Sequence, residues 1–545
     1  MRRLNIGAVR KLWPIAPVVL FVALFALAPA ALLFASGISA VGGESGLVAL
    51  LSNPLARDAL TNSILQGALS AAAAMLLGYP LGVLLGRYRW RGRAVVQALL
   101  IVPFLLPSLV MVLGVGDLFG GNGIAGRWAP SLTYLGHGLP GIVTVNVLYN
   151  APLVALLTSV GIEGAGIDLE ETVATLGGGP AAAYRRVWGP PSWIGAAAGG
   201  LLTFVFSALA FAAPLLLCGG KCYTVEVWVW ALDQQLLQPG MAAALAFLLV
   251  VVMLAPTVAY LFLWSRLRGG PPTPRVRHRP LPWRRWSTWP LLAASGLLLV
   301  SVLALLGGVL WTAFAPAPGY PGWGSAFSAV FAPRVSSVLG ISTSGAILNS
   351  FFFGGVAAIA ALVFGLFTGF VARSKPLALR VVHLVLFAPL LISPVVLAFG
   401  LAESWRPVLG GESMVWALIL VSQTTLALPF ALQSLNVAFS RVPPAYRETA
   451  ETLGSPPYSA YLDVEVPQVR SGLITAGLFA FALGLGEFTA TYFLATPRFT
   501  TLTVEIYNLD DLRLAVLGGA VAGLLVIVSL AVFAAIAVGG RRIEF

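Results

Sequence analysis

Side chains that could carry catalysis or bind a metal are sparse in this chain of 545 residues. A nucleotide-binding P-loop needs Gly-Lys followed by Ser or Thr, because backbone amides and the lysine hold the phosphates. The three lysines all lack a following Ser or Thr: Lys11, Lys221 and Lys375. The three histidines show no metal-ligand spacing: His137, His278 and His383. We therefore expect no nucleotide hydrolysis, no cofactor and no metal site in this chain.

The two cysteines form a Cys-x-x-x-Cys pair, Cys218 and Cys222. A small disulfide is possible at this spacing, but the spacing alone does not distinguish a bridge from free thiols. Zinc would need further ligands. We interpret the pair as structural.

The most informative residues form a motif that occurs twice, at a constant offset of 277. The first copy contains Glu171, Gly177, Val187 and Pro190, and the second contains Glu448, Gly454, Val464 and Pro467. Glu at the front of a helix suits its N-terminus, and Gly suits the left-handed residue after its C-terminus. Eight of the twenty acids lie in the two segments that contain these residues, 163–190 and 440–467. The pattern predicts a helix–turn–helix elbow in each copy, with the second helix ending at the proline.

The elements that position these elbows are membrane spans. The chain is 59% hydrophobic and 10% charged, with a mean hydropathy of +0.92, so a soluble or nucleic-acid-binding protein is excluded despite the net charge of +12. We predict an all-α membrane protein of about twelve helices in contact with lipid, since about 20 apolar residues cross a bilayer. Prolines at 103, 107, 389 and 394 predict breaks or kinks in the third (94–115) and ninth (381–401) runs.

The basic residues predict the orientation. Of the 32 Lys and Arg residues, 25 lie on the side that holds both termini and both elbows. The positive-inside rule assigns that side to the cytoplasm of a multi-pass protein in the cell membrane.

The repeat predicts two halves of six spans each, residues 1–265 and 289–545, joined by a basic linker at 266–288. An even number of spans gives both halves the same topology. The elbow segments are residues 163–190 and 440–467. Asn62-Ser63 corresponds to Asn349-Ser350, and Thr224-Val-Glu226 aligns with Thr503-Val-Glu505 after a two-residue slip.

The repeated motif resembles the EAA loop of ABC-importer permeases. Thr172-Val173 and Gly189 depart from the family pattern in the first copy. The resemblance implies that the elbows couple the spans to two copies of a separate ABC ATPase, which binds ATP and Mg²⁺. It also implies an extracytoplasmic solute-binding protein as a partner.

The fusion of two halves in one chain is similar to the ferric-iron and thiamine permeases. Local likenesses include Tyr149-Asn-Ala-Pro152 and the outer segments 217–226 and 494–507. These likenesses do not separate iron(III) from thiamine, and related permeases carry phosphonates, polyamines or oxyanions.

Three polar residues are candidates for the translocation path or its gate: Glu487, Asn62 and Asn349. Glu487 is the one acid assigned to a span, where an ionisable group indicates function; a hydrogen bond between helices is the structural alternative. For the asparagines and prolines, ordinary packing is the alternative. An ion-coupled secondary transporter also has two six-helix halves, but it is expected to carry several intramembrane ionisable groups.

Overall fold

The described part of the chain is mostly helical. The computed structural model describes residues 13–121, 123–219, 222–267, 278–284, 286–371, 386, 389, 392–408 and 414–541. Within these residues, ten helices are long and apolar enough to cross a membrane, or up to eleven if a bent pair is one span. The ten are Trp13–Ala40, Pro54–Arg87, Ser108–Trp128, Gly138–Ala165, Pro180–Ala208, Pro239–Leu267, Trp289–Phe314, Thr343–Val371, Val415–Ser440 and Ala515–Ile536. The all-α membrane class is confirmed.

Two predicted spans differ from the helices observed. The third run is divided into Arg93–Leu99, Val102–Leu105 and Ser108–Phe119, so the helix breaks before Pro107 as predicted. The ninth run lies partly outside the described residues, and its described part is the short helix Pro394–Trp405. Pro394 begins that helix, with Ser393 accepting a hydrogen bond from the Val396 amide at 3.1 Å.

The eleventh span is the bent pair. Pro457–Gln468 and Arg470–Gly486 meet at an angle of 75°. In the first half, the corresponding helix Pro180–Ala208 is long enough to cross as one unit, with a π-helical turn at Tyr184–Trp188. A π-helical turn at Ala460–Glu465 occupies the same place in the second half.

Shorter elements connect the spans. The helices are Glu44–Ser52, Ile124–Trp128, Ile167–Thr175, Ala212–Leu217, Val225–Trp230, Ser325–Ala329, Pro333–Leu339, Pro444–Thr452, Thr489–Leu494 and Leu502–Asp511. Turns of 3₁₀ helix lie at Pro130–Gly136, Trp286–Thr288 and Pro497–Phe499, and a π-helical turn lies at Ala231–Gln235. Strands β1 (Tyr88–Arg89) and β2 (Arg279–Pro280) pair in parallel.

Glycines bring the second span against the fourth. Gly78, Gly82 and Gly86 recur every four residues and so share one helix face. A Cβ at Gly82 would stand 2.5 Å from the Thr158 Cβ, and one at Gly78 would stand 2.5 Å from the Ala151 carbonyl oxygen. Small residues at this spacing let two membrane helices approach closely, so that dispersion forces hold them together.

The second half repeats this contact between its eighth and tenth spans. A Cβ at Gly365 would stand 2.3 Å from Leu435, and one at Gly369 would stand 2.6 Å from Phe439. The partners are larger side chains than in the first half, so the second stripe accommodates leucine and aromatic groups instead of backbone.

The contacts divide the chain into two compact units that do not coincide with the sequence halves. One unit contains residues 105–107 and the described parts of 1–36 and 313–545, and the other contains 37–104 and the described part of 108–312. Within the first unit, the Phe21 ring lies 4.9 Å from Phe364, and Trp405 donates to the Leu24 carbonyl at 3.2 Å. The first span therefore packs with helices of the second half. The division at 265 and 289 stays a prediction about the sequence repeat.

Gly82→Val should lower the thermal unfolding midpoint of the protein in detergent. The new side chain displaces Thr158 and the backbone of the fourth span, and such overpacking costs about 1–3 kcal/mol. Gly355→Val is the matched control, because nothing lies within 4 Å of a Cβ at Gly355 in the eighth span. Equal midpoints for the two variants would contradict the proposed close packing.

Candidate functional site

The first predicted elbow is present and ends in a left-handed glycine. Helix Ile167–Thr175 is followed by Gly177 at φ +81°. The Gly178 amide donates to the Val173 carbonyl at 2.8 Å, and the Gly177 amide donates to the Ala174 carbonyl at 3.1 Å. These two bonds form a Schellman motif, which closes the helix and requires a residue without a Cβ penalty.

The second elbow has the same construction. Helix Pro444–Thr452 is followed by Gly454 at φ +90°. The Ser455 amide donates to the Ala450 carbonyl and the Gly454 amide to the Glu451 carbonyl, both at 3.0 Å. Every donor and acceptor is displaced by 277 residues from its first-half counterpart, so the sequence repeat is a repeat of backbone geometry.

Each elbow presents a leucine at its turn. Leu176 is 81% exposed and Leu453 is 82% exposed, again at an offset of 277. Glu171 and Glu448 are exposed beside them. The expectation that these two glutamates begin their helices is wrong, since each is the fifth residue of a nine-residue helix.

The remaining motif positions are a valine and a proline in each elbow. Val187 and Val464 are half-buried, and Pro190 and Pro467 are exposed. The prediction that the second elbow helix ends at the proline is wrong for Pro190, because helical structure continues through it from Pro180 to Ala208. The π-helical turn Tyr184–Trp188 directly precedes this proline, and such local adjustments let membrane helices contain proline. Pro467 lies just before the 75° bend.

Charged residues support the base of the first elbow. Arg87, at the end of the second span, forms an ion pair with Glu170 and lies 4.3 Å from the Trp188 ring centroid. Arg93 donates to Glu163 at 2.7 Å. Both acids are largely buried, with side chains 8% (Glu170) and 24% (Glu163) exposed, so these ion pairs are worth more than exposed ones.

Aromatic residues support the base of the second elbow. Tyr461 is buried and donates its hydroxyl to the Leu366 carbonyl at 2.8 Å. Its ring lies 5.3 Å from that of Phe370 and 5.5 Å from that of Phe439. The two elbows therefore have the same backbone geometry, but ion pairs hold the base of the first and aromatic contacts hold the base of the second.

At the side of the protein opposite the elbows, an Asn-Ser pair binds the start of a short helix in each half. These helices are Val225–Trp230 and Leu502–Asp511, called the outer helices below. Asn62 donates to the Tyr223 carbonyl at 3.1 Å, and the Val225 amide donates to Ser63 at 3.0 Å. Cys218 and Cys222, just before the first of these helices, are disulfide-bonded. The asparagines thus bind backbone of the outer segments, and their assignment to a gate stays a prediction.

The second Asn-Ser pair corrects the sequence alignment of the outer segments. Asn349 donates to the carbonyls of Arg498 and Thr500 at 3.1 and 2.9 Å, and the Leu502 amide donates to Ser350 at 2.8 Å. The outer helices begin after Thr224 and after Thr501, so the offset remains 277 and the two-residue slip is wrong. Threonines before both helices caused the apparent slip.

Glu487 lies outside a continuous helix. The helix Arg470–Gly486 ends one residue before it, and its carboxylate accepts hydrogen bonds from the Ala490 and Thr491 amides at 2.7 and 2.8 Å. It thereby caps the helix Thr489–Leu494. The alternative of a bond between helices is not the main interaction, and a role in the path stays a prediction.

The assignment of Glu487 as the one acid in a span is also incomplete. Asp117 lies within Ser108–Trp128 and accepts a hydrogen bond from Thr312 at 2.9 Å. The predicted third run ends at 115, two residues before this acid, whereas the helix continues to Phe119. The other groups missed from sequence were the Gly-x-x-x-Gly stripe at 78–86, whose spacing is a recognisable signal, and the pairing of Glu163 and Glu170, which has no local signal.

A family model described as binding-protein-dependent transport system inner membrane component matches residues 78–269 and 356–540. The match occurs twice, once in each half, and together covers more than half of the chain. Each matched region includes one elbow.

Two groups of relatives align with the chain. The thiamine transport system permease protein ThiP of Brucella suis biovar 1 is 26% identical over 462 residues, which cover 81% of this chain and 80% of that protein. ThiP of Escherichia coli K12 is 24% identical, covering 82% of each chain. The molybdenum transport system permease protein ModB of Mycobacterium tuberculosis is 29% identical over 208 residues, covering 37% of this chain and 78% of ModB.

Glu505→Gln should flatten the pH dependence of stability. Glu505 is fully buried on the outer helix and accepts a hydrogen bond from Thr343 at 2.5 Å. Burial raises the pKa of Glu505 to about 7, although the Thr343 hydrogen bond opposes the shift. The folded state therefore favours the protonated carboxyl: its contribution is full below the unfolded pKa of about 4.3 and is lost as the pH rises through 7.

The lost contribution is on the order of 3 kcal/mol, measured as a fall of the unfolding midpoint between pH 5 and pH 8. Glu451→Gln on the exposed second elbow is the control and should leave that fall unchanged. The same fall in Glu505→Gln as in the parent protein would show that Glu505 does not titrate in this range.

Proposed function

Since the chain belongs to the family of binding-protein-dependent inner-membrane transport components, we propose that it is the membrane permease of an ATP-binding-cassette importer, with both permease halves in one chain. It moves a small solute inward from an extracytoplasmic solute-binding protein. The observation that carries the proposal is the pair of elbows, identical in their Schellman ends and in their exposed leucines. The family assignment favours this function over an ion-coupled secondary transporter.

The elbows are the sites that couple transport to ATP hydrolysis. Each offers an exposed leucine on a turn of fixed backbone and an exposed glutamate on the helix before that turn, which suits insertion into a groove of a partner. The sequence contains no P-loop, so ATP and Mg²⁺ are bound by a separate ATPase. Two elbows require two copies of that ATPase.

The elbow side faces the cytoplasm, and so do both termini. The excess of Lys and Arg on that side supports this orientation. The disulfide between Cys218 and Cys222 supports it too, because the pair lies on the opposite side and disulfides persist in oxidising compartments.

The solute is of the thiamine type. The thiamine permeases align across 81–82% of this chain, whereas the molybdenum permease aligns across 37% of it. Iron(III), the other expectation from the sequence, stays an alternative that the uptake experiment below tests.

Glu487 lies beside the path. Pro107, at the break of the third span, belongs to the same compact unit as Gly486 and Glu487. A Cβ at Gly486 would stand 3.4 Å from the Cα atom of Pro107. Where a helix breaks, backbone N–H and C=O groups lose their hydrogen-bond partners within the helix. Membrane proteins tolerate such groups where protein or a water-filled path covers them. We place the constriction of the path at this contact.

The double variant Gly177→Val with Gly454→Val should abolish ATP-driven uptake while leaving membrane insertion intact. A β-branched residue at φ +81° or +90° is strained by roughly 1–2 kcal/mol or more, so the elbow turns must change conformation. Nothing lies within 4 Å of a Cβ at either position, so the spans are not disturbed. Uptake and ATPase activity are measured in proteoliposomes with the co-purified ATPase.

The matched control is Gly179→Val, in the same turn with φ −80° and nothing within 4 Å. It should retain uptake close to that of the parent protein. Normal uptake in the double variant, or uptake that persists without ATP, would refute the role of the elbows.

Uptake of labelled thiamine should exceed uptake of labelled iron(III) in cells that express the chain with its neighbouring binding protein and ATPase. The double glycine variant gives the background for both solutes. Iron uptake without thiamine uptake would reverse the solute assignment and leave the importer assignment in place.

A further inference from the structure

Residues 278–281 of the linker contact the base of the first elbow. The linker strand β2 pairs in parallel with β1, with Tyr88 opposite Arg279 and Arg89 opposite Pro280. The Leu281 amide donates to the Arg89 carbonyl at 3.3 Å, and Leu281 is 6% exposed. This part of the linker, residues 278–281, is called the strap below.

Two side chains of the strap contact the acids at the base of the first elbow. The Nε2 atom of His278 lies 3.3 Å from Oε1 of Glu163, and Nη1 of Arg279 lies 3.5 Å from Oε1 of Glu170. Glu163 is in the last turn of helix Gly138–Ala165, and Glu170 is in the first turn of helix Ile167–Thr175. The strap therefore contacts both sides of the junction at Gly166, where the fourth span becomes the elbow.

The side chains are needed to hold the strap in place. Two paired residues per strand form too few backbone hydrogen bonds to be stable alone. The two contacts are partly shielded from water: the His278 and Glu163 side chains are 13% and 24% exposed, and the Arg279 and Glu170 side chains are 38% and 8% exposed. Because Glu170 is buried, its pairing with Arg279 is screened less by salt than a pair on the surface.

The second elbow has different residues at the positions of these acids. At the offset of 277, Glu163 corresponds to Ser440 and Glu170 to Arg447. Arg447 instead contacts Glu451 on its own helix at 3.7 Å. The strap is thus specific to the first elbow, although the motif itself is repeated.

We propose that the strap is a positioning element of the coupling machinery, in which His278 and Arg279 fix the angle between the fourth span and the first elbow. The linker then does more than connect the halves or provide positive charge. This inference rests on the proposed coupling role of the elbows, but its structural part is testable without transport.

The test is the variant His278→Ala with Arg279→Ala in the full chain. Amide hydrogen exchange of residues 167–178 should accelerate at least tenfold, because the elbow base loses two of its fastenings. Exchange of residues 444–455 should remain unchanged. In proteoliposomes with the ATPase, solute transported per ATP hydrolysed should fall at least threefold.

Two control variants separate the strap from general effects. Arg284→Ala removes an exposed arginine from the same linker and should change neither exchange nor transport. Tyr461→Phe removes the hydroxyl that donates to Leu366 and should accelerate exchange at the second elbow only.

Rescue by crosslinking distinguishes positioning from folding defects. In a chain with Tyr88→Cys, Arg279→Cys and His278→Ala, the two register partners can be joined by a short bismaleimide. The crosslink should restore slow exchange at 167–178 and transport per ATP. Failure of the crosslink to restore transport, when exchange has returned to its original rate, overturns the proposal.

The other results also decide the question. Unchanged exchange at 167–178 in the double alanine variant overturns the strap as a fastening. Faster exchange with unchanged transport per ATP overturns its positioning role. The double glycine variant at 177 and 454 is measured in parallel: if it also transports normally, the elbows themselves do not couple, and that failure belongs to the proposed function.

Discussion

The close approach of the second span to the fourth is the contact on which the elbow geometry depends. Gly78, Gly82 and Gly86 allow helix backbones to meet where any side chain would collide. Membrane helices gain no hydrophobic energy from packing on one another in lipid, so this proximity must come from dispersion and shape. Arg87 follows the last glycine and is thereby carried to Glu170. A wider separation of the spans would take Arg87 away from that buried acid and leave it the longer contact to Arg279, at 3.5 Å.

The two halves show which parts of the repeat are constrained and which are free. The helix ends and the exposed leucines recur at an offset of 277, and so do the outer helices. The Asn-Ser pairs that bind those outer helices recur at 287, yet they make the same bond to the helix start in each half. The fastenings below the elbows differ: charges and the strap in the first, Tyr461 and its neighbouring rings in the second. Many combinations of side chains can support the same backbone geometry, but few residue types other than glycine can adopt a φ near +85°.

The features that could be predicted from the sequence were local. Gly177 and Gly454 were identified because a helix end and its left-handed residue lie within a few positions, and Pro107 because a proline breaks its own helix. The position of Glu487 was less accessible, since an apolar run continues through a helix break without a change in composition. The contacts of the strap could not be predicted from the sequence, because Glu163 and His278 are 115 residues apart and nothing in either segment indicates the other.

The packing of the first span with second-half helices has a consequence for biogenesis. Phe21 and its partner Phe364 are separated by more than 340 residues, and a ribosome adds about 5–20 residues per second. The first span must therefore wait in the bilayer for on the order of tens of seconds before its partner helices are synthesised. During that interval the face that contacts Phe364 and Trp405 is without these partners. The other end of the span already has its neighbour, because a Cβ at Gly37 would stand 2.5 Å from the Ala244 nitrogen in the helix Pro239–Leu267. A nascent chain that stops after the linker would therefore have its first span docked at one end only.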